Sequence, residues 1–212
     1  MRLNTLHQAL PIVAAAYGRT FGVSVQVGGT NAYTNGQVIQ LPSLSEGTDR
    51  QVLAYGYLAH EAGHVRFTDF TTAWLPQPLG RSLVNILEDV RIESAMIRAF
   101  PGTRTTLDAV LERLMCLGRM SAPRGDQPPA TVLSHAVLIL ARYVYRDQSL
   151  LVAHAEQSER ALRQVFGARF VQSLQALLAE IPHLTSTAEV VALVTRILAL
   201  VESMSQGKDA QE

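Results

Sequence analysis

The chain has 212 residues, 48% of them hydrophobic, with 18 Lys and Arg balanced by 18 Asp and Glu. That is enough apolar material for one buried core with a helical extension, and zero net charge gives no bulk field to draw nucleic acid or anionic lipid. Cys116 is the sole cysteine, which excludes an internal disulfide framework and leaves His and carboxylate as the ligands of any metal site.

No apolar run approaches the roughly 20 residues that a spanning helix requires, so a cytoplasmic protein without a membrane segment is expected. Leu3, Leu6, Leu10, Val13 and Tyr17 recur at helical spacing before Gly18, predicting an amphipathic helix over 3–17. His7, Gln8 and Pro11 interrupt its faint likeness to a secretion signal. Phe21, Val23, Val25 and Val27 alternate with small or polar residues, the period-2 pattern of a half-buried strand. Residues 32–34 and 37–41 flank Asn35-Gly36, a dipeptide that tolerates the positive φ of a tight hairpin. Together these segments predict a small antiparallel sheet, with 37–41 as an edge on which an extended substrate could pair.

A loop at 42–47 is followed by Thr48 and Gln51 in capping-box spacing, where the next helix should start. It carries His60-Glu61-Ala62-Gly63-His64. Residues four apart lie one turn apart on the same helix face, so both imidazoles can reach one cation. Glu61, about 100° round the helix, is offset toward a water on that cation. Tyr55, Leu58, Ala62 and Val65 project to the opposite side and should face the core. Gly56, Ala59 and Gly63 form a third stripe without bulk, where a close-packed neighbour and simple tolerance are both open readings.

Trp74, Pro76, Pro78 and Gly80 mark a loop over 71–80, and a strongly periodic helix follows over 82–100 until Pro101-Gly102. It sets acidic groups among apolar ones, as a partly buried carboxylate ligand requires. Residues 106–120 are helical by spacing, 121–130 hold three prolines and a glycine, and 132–145, 150–166, 169–181 and 189–204 carry Leu, Val and Ala at helical intervals. Ser186 and Glu189 make another capping box. The resulting division is a metal-binding core over 1–120, a connector over 121–130, a helical lobe over 131–204 and a disordered polar tail over 205–212.

Two histidines leave zinc one short of the three protein ligands usual in hydrolytic sites. Glu88, on the next predicted helix, is the leading candidate, and Asp89, pointing about 100° away, is the rival. Asp69 follows the second histidine without the glycine that usually turns the chain in zinc proteases with a nearby third ligand, so a capping role suits it better. His135 lies on an apolar helix and reads as a core residue before a site residue. Tyr33, Arg91, Tyr143 and His135 are unranked candidates for the oxyanion partner.

His60-Glu61-Ala62-Gly63-His64 followed by Asn85-Ile86-Leu87-Glu88-Asp89-Val90-Arg91-Ile92-Glu93 resembles the metallopeptidase-like region of the cobalt-chelatase T-subunit and related bacterial proteins that carry a von Willebrand factor A domain. The likeness spans about residues 48–105. It implies a gluzincin-like site with His60, His64 and Glu88 at the metal positions and Glu61 as the catalytic carboxylate. Members of that group usually continue through an acidic linker into the von Willebrand domain and act beside a MoxR-type AAA+ ATPase.

The expectation is an α+β, mostly helical fold: a zincin-like core with a small antiparallel sheet, an H-E-x-x-H helix and a third-ligand helix, then a helical lobe. The first function it supports is a zinc metallopeptidase in which Zn2+ activates water and Glu61 is the general base for attack on a peptide or protein substrate. The alternative is a catalytically silent, metallopeptidase-like interaction module of a larger von Willebrand factor A and AAA+ ATPase system, of MoxR or chelatase type. No nucleic-acid or membrane partner is expected.

Overall fold

The computed structural model describes residues 2–19, 23–44, 47 and 49–209, with side chains from 8 to 204. These residues form α1 (Arg2–Gly18), β1 (Ser24–Val27), β2 (Tyr33–Thr34), β3 (Val38–Leu41), α2 (Arg50–Phe67), α3 (Pro78–Ala99), α4 (Thr103–Cys116), α5 (Pro129–Tyr145), α6 (Val152–Leu178) and α7 (Thr187–Asp209). The chain divides into two units, one of residues 1–70 and 92–120, the other of 71–91 and 121–212. The boundary passes through α3, a continuous 22-residue helix.

In the first unit the strand order is β1-β3-β2. The hairpin forms as expected, with Tyr33 opposite Gln40 and β2 antiparallel to β3. At its turn Gly36 has φ 89°, and Asn35 Oδ1 accepts the N–H groups of Gln37 at 3.0 Å and Val38 at 2.9 Å. The sheet is mixed rather than antiparallel, because the chain reverses between β1 and β2 and again at the hairpin, and two reversals return β3 in the direction of β1, with Val25 beside Ile39. β3 is therefore the central strand, and 37–41 offers no edge; β1 and β2 do. Phe21, expected in the first strand, and Thr48, expected to cap α2, lie outside the described residues. Asp49 occupies the N-cap position of α2 without a side-chain capping bond.

Ile39 and Leu41 of β3 pack with Leu10 and Ala14 of α1 onto Ala54, Leu58 and Ala62 of α2, with Tyr55 and Val65 beside them. This is the predicted core face of the motif helix. Leu58 is wholly buried, which contributes about 1.5–3 kcal/mol. The stripe without bulk meets close neighbours: a Cβ on Gly56 would lie 2.2 Å from the Thr106 carbonyl oxygen, and one on Gly63 would lie 2.9 Å from Met96 Cγ. α4 and the second half of α3 thus approach α2 more closely than any larger residue would allow. With one face on the sheet and another on these helices, α2 is held on both sides of its histidines.

The second unit buries Val132, Leu133, Ala136, Val137 and Ile139 of α5, Leu162, Phe170 and Leu174 of α6, and Val190, Leu193, Val194 and Ile197 of α7. The two helices predicted over 150–181 correspond to α6, which breaks at Gly167 with φ 80°. The connector is docked: Gln157 Nε2 donates to the Pro123 carbonyl at 3.4 Å, and Pro129 opens α5 where its missing N–H costs nothing. At the start of α7, Glu189 N–H donates to Ser186 Oγ at 3.2 Å, while Glu189 Oε2 accepts the Thr185 N–H at 2.6 Å, one residue before the capping-box position. Residues 205–209 continue α7, and 210–212 lie outside the described residues. Among the described residues no helix is long and apolar enough to cross a membrane.

Candidate metal centre

His60 and His64 project from one face of α2 with ring centroids 5.0 Å apart and planes nearly perpendicular at 79°. Helical spacing alone brings the rings this close; their orientations come from other residues. His60 Nδ1 lies 2.9 Å from Glu93 Oε1, and His64 Nδ1 lies 2.9 Å from Thr68 Oγ1. Thr68 is the C-cap of α2, its N–H donating to the His64 carbonyl at 2.9 Å, so the residue that ends the helix also turns the second imidazole. In the tautomer whose Nδ1–H donates to these oxygens, Nε2 is the nitrogen through which each ring would ligate.

The Glu93 carboxylate is 97% buried, and a bond from a neutral imidazole to a buried carboxylate increases the electron-donating power of the opposite ring nitrogen. Glu61 follows His60 on α2 and is also buried. Both carboxylates are buried, and a buried carboxylate interacts with protons and cations more strongly than one at a surface.

The two neighbouring acids of α3 have different surroundings. Glu88 is fully buried: Arg91 Nε donates to its Oε2 at 2.8 Å, Arg91 Nη2 to its Oε1 at 2.6 Å, and Thr187 Oγ1 to that same Oε1 at 2.9 Å. Asp89 is half-buried, and one of its oxygens accepts a 3.3 Å bond from Asn85 Nδ2. On the helix Asp89 stands one turn before Glu93 and on the same face, whereas Glu88 is rotated from that face by about 100°.

Of the other residues singled out by sequence, Asp69 and Tyr33 are exposed, and His135 and Tyr143 sit half-buried on α5 in the second unit. Arg91 is committed to Glu88 and, through Nη1 at 3.4 Å, to the Thr185 carbonyl. Sequence reasoning passed over Glu93 and Thr68. Both could be found from spacing: Glu93 is four residues after Asp89, and Thr68 is four after His64.

The donor set suits a borderline divalent cation. Imidazole nitrogens with one carboxylate oxygen are ligands zinc accepts, and rings pre-oriented through Nδ1 are what such a site requires. The residues present therefore fit the ion that the motif implies.

The family model described as "Cobalamin biosynthesis protein CobT" matches residues 1–212. No curated protein and no solved structure matches the chain. With the match running over its whole length, the chain belongs to the CobT family of cobalamin biosynthesis proteins.

Proposed function

We propose that this chain is a module of a cobalt-chelatase-type system that holds one divalent ion, with Zn2+ the best match to its donors, through His60, His64 and a carboxylate of α3. The observation that carries the ion site is the paired orientation of the histidines, His60 by Glu93 and His64 by Thr68. Membership of the CobT family supports the chelatase context.

Sequence alone put Glu88 ahead of Asp89 as the third ligand. In this reading the order is reversed, because both Glu88 oxygens already accept bonds from Arg91 and Thr187, while Asp89 shares the helix face of Glu93. Ligation by Glu88 would weaken a buried ion pair, at a cost of up to about 3–5 kcal/mol.

A zinc ion bound here would act as a Lewis acid and lower the pKa of a coordinated water. Glu61 stands between the two histidines in the sequence of α2, and in a zincin-like reading its carboxylate would take a proton from such a water and return it to a leaving group. That residue keeps the peptidase reading as the second one. The first reading assigns the ion an architectural role and the helical lobe a docking role, with a MoxR- or chelatase-type AAA+ ATPase or a von Willebrand factor A domain protein as partner.

The discriminating experiment compares zinc-loaded wild type with Glu61→Gln in two assays, hydrolysis of an unstructured protein and co-elution with the AAA+ subunit of a chelatase system. The module reading expects no hydrolysis by either form and equal co-elution. Hydrolysis by wild type that Glu61→Gln abolishes would establish the peptidase instead.

A further inference from the structure

The 27 residues of α6 run as helix from end to end except at one position, Gly167, whose φ of 80° and ψ of 166° lie in a region that glycine alone enters freely. Glu159 and Gln175 show what that one residue does. Sixteen residues of straight helix span about 24 Å, yet Gln175 Nε2 donates to Glu159 Oε1 at 3.0 Å, so the two halves lie side by side as a hairpin. The Phe166 and Phe170 rings, stacked at 4.5 Å, straddle the turn. A Cβ on Gly167 would meet no atom within 4 Å, so backbone angle and not space bars other residues from this position. The buried residues are phased for the bend as well. Ala155, Ser158, Ala161 and Leu162 share a face of the first half, and Phe170, Val171, Leu174 and Leu178 a face of the second. Carried through an unbroken helix at 100° per residue, these two faces stand roughly 160° apart. A straightened α6 therefore cannot bury both against its own neighbours. Its second half, followed by Val190, Leu193, Val194 and Ile197 of α7, then needs the matching surface of another molecule.

We propose that Gly167 is the hinge of a domain exchange between two copies of this chain. Closed, it folds residues 168–209 back within one molecule; opened, it passes them to a second copy and receives that copy's in return. The surface that accepts them is the one the closed form already uses, offered by α5 and the first half of α6, so the twofold dimer rebuilds the contacts of the monomer and needs no new ones. A turn of one residue, in a conformation that only glycine tolerates, is the kind of short hinge that invites such exchange. The inference concerns α5, α6 and α7 alone and is independent of the ion site.

Gly167→Ala tests it, since the added methyl group sits in open space, disfavours the turn and favours unbroken helix. Alanine over glycine in a helix is worth about fivefold per hinge, and a dimer opens two hinges, so the dimerisation constant should rise about thirtyfold or more over wild type. Size-exclusion chromatography with light scattering reads that change. Spin labels on Glu159→Cys and Gln175→Cys in a Cys116→Ser background, with labelled chains diluted into unlabelled ones, report the separation within a single chain. The account predicts a short separation in the monomer that carries Gly167 and about 24 Å in the Gly167→Ala dimer. A Gly167→Ala protein that stays monomeric with the short separation overturns the proposal, and so does a dimer that keeps it, because such a dimer is held by surfaces and not by exchange. Should Gly167→Ala fail to fold, the labelled chain that retains Gly167 decides after refolding from urea at high protein concentration: a dimer with the long separation supports the exchange, and monomer alone or a dimer with the short separation overturns it.

Discussion

Removing the Glu93 carboxylate probes the metal centre at the residue on which the orientation of His60 depends. In Glu93→Ala the 2.9 Å contact with His60 Nδ1 disappears. The bond is charge-assisted, its acceptor is 3% exposed, and a hydrogen bond to a charged group contributes about 1.5–3 kcal/mol. Loss of a ligand's outer partner typically costs ten- to hundredfold in metal affinity, which is about 1.4–2.7 kcal/mol and so agrees with the bond's own strength. Glu93→Gln keeps an acceptor but not the charge, and should fall nearer tenfold. The assay is zinc competition against a chromophoric chelator at neutral pH, with metal-free melting curves to verify folding. Zinc affinity of a folded Glu93→Ala within about twofold of wild type would refute the claim that this carboxylate prepares His60 for an ion.

Other perturbations test separate parts of the account. Asp89→Asn should abolish tight zinc binding, whereas Glu88→Gln should retain the ion and destabilise the fold by up to about 3–5 kcal/mol, because Arg91 loses the buried carboxylate that it grips; isothermal titration and urea unfolding read the two effects. Gly56→Ala places a methyl 2.2 Å from the Thr106 carbonyl, a backbone atom that cannot swing away, and should cost at least about 1–3 kcal/mol in urea unfolding; an unchanged midpoint would contradict the close packing of α2 on α4. The Glu189 carboxyl is held below its ordinary value chiefly by the Thr185 backbone N–H, then by the Thr185 hydroxyl. A depressed folded-state value means its stabilisation is present above the unfolded value of 4.5 and is lost as pH falls through the lower folded one. Glu189→Gln should therefore lower the melting temperature near pH 7 and converge on wild type in strong acid, and a constant difference at all pH values would contradict the assignment.

Much of the first unit was legible because its local signals agree. Asn35-Gly36 specified the hairpin, and Leu58 with Ala62 specified which side of α2 faces the sheet. The parallel pairing of β1 with β3 was not, since strand direction depends on which strand occupies the middle of the sheet, and four-residue segments carry no signal for that. Gly56 and Gly63 were noticed as a stripe, but only the positions of Thr106 and Met96 distinguish close packing from tolerance. In the site, the two histidines and Glu61 follow from spacing on one helix. The bond that Glu88 accepts from Thr187 did not follow, because Thr187 is 99 residues away and no local pattern connects it to α3. The four-residue step from Asp89 to Glu93 was available in sequence.

The central claim is that α2 and α3 of this CobT-family chain hold a divalent ion through His60, His64 and Asp89. Zinc K-edge X-ray absorption on zinc-loaded wild type, compared with Asp89→Asn and Glu88→Gln, tests it most directly. The account predicts stoichiometric zinc with two imidazole nitrogens and a carboxylate oxygen at about 2.0–2.2 Å, and loss of that oxygen in Asp89→Asn alone. Wild type without stoichiometric zinc, or a carboxylate lost in Glu88→Gln and kept in Asp89→Asn, would contradict it.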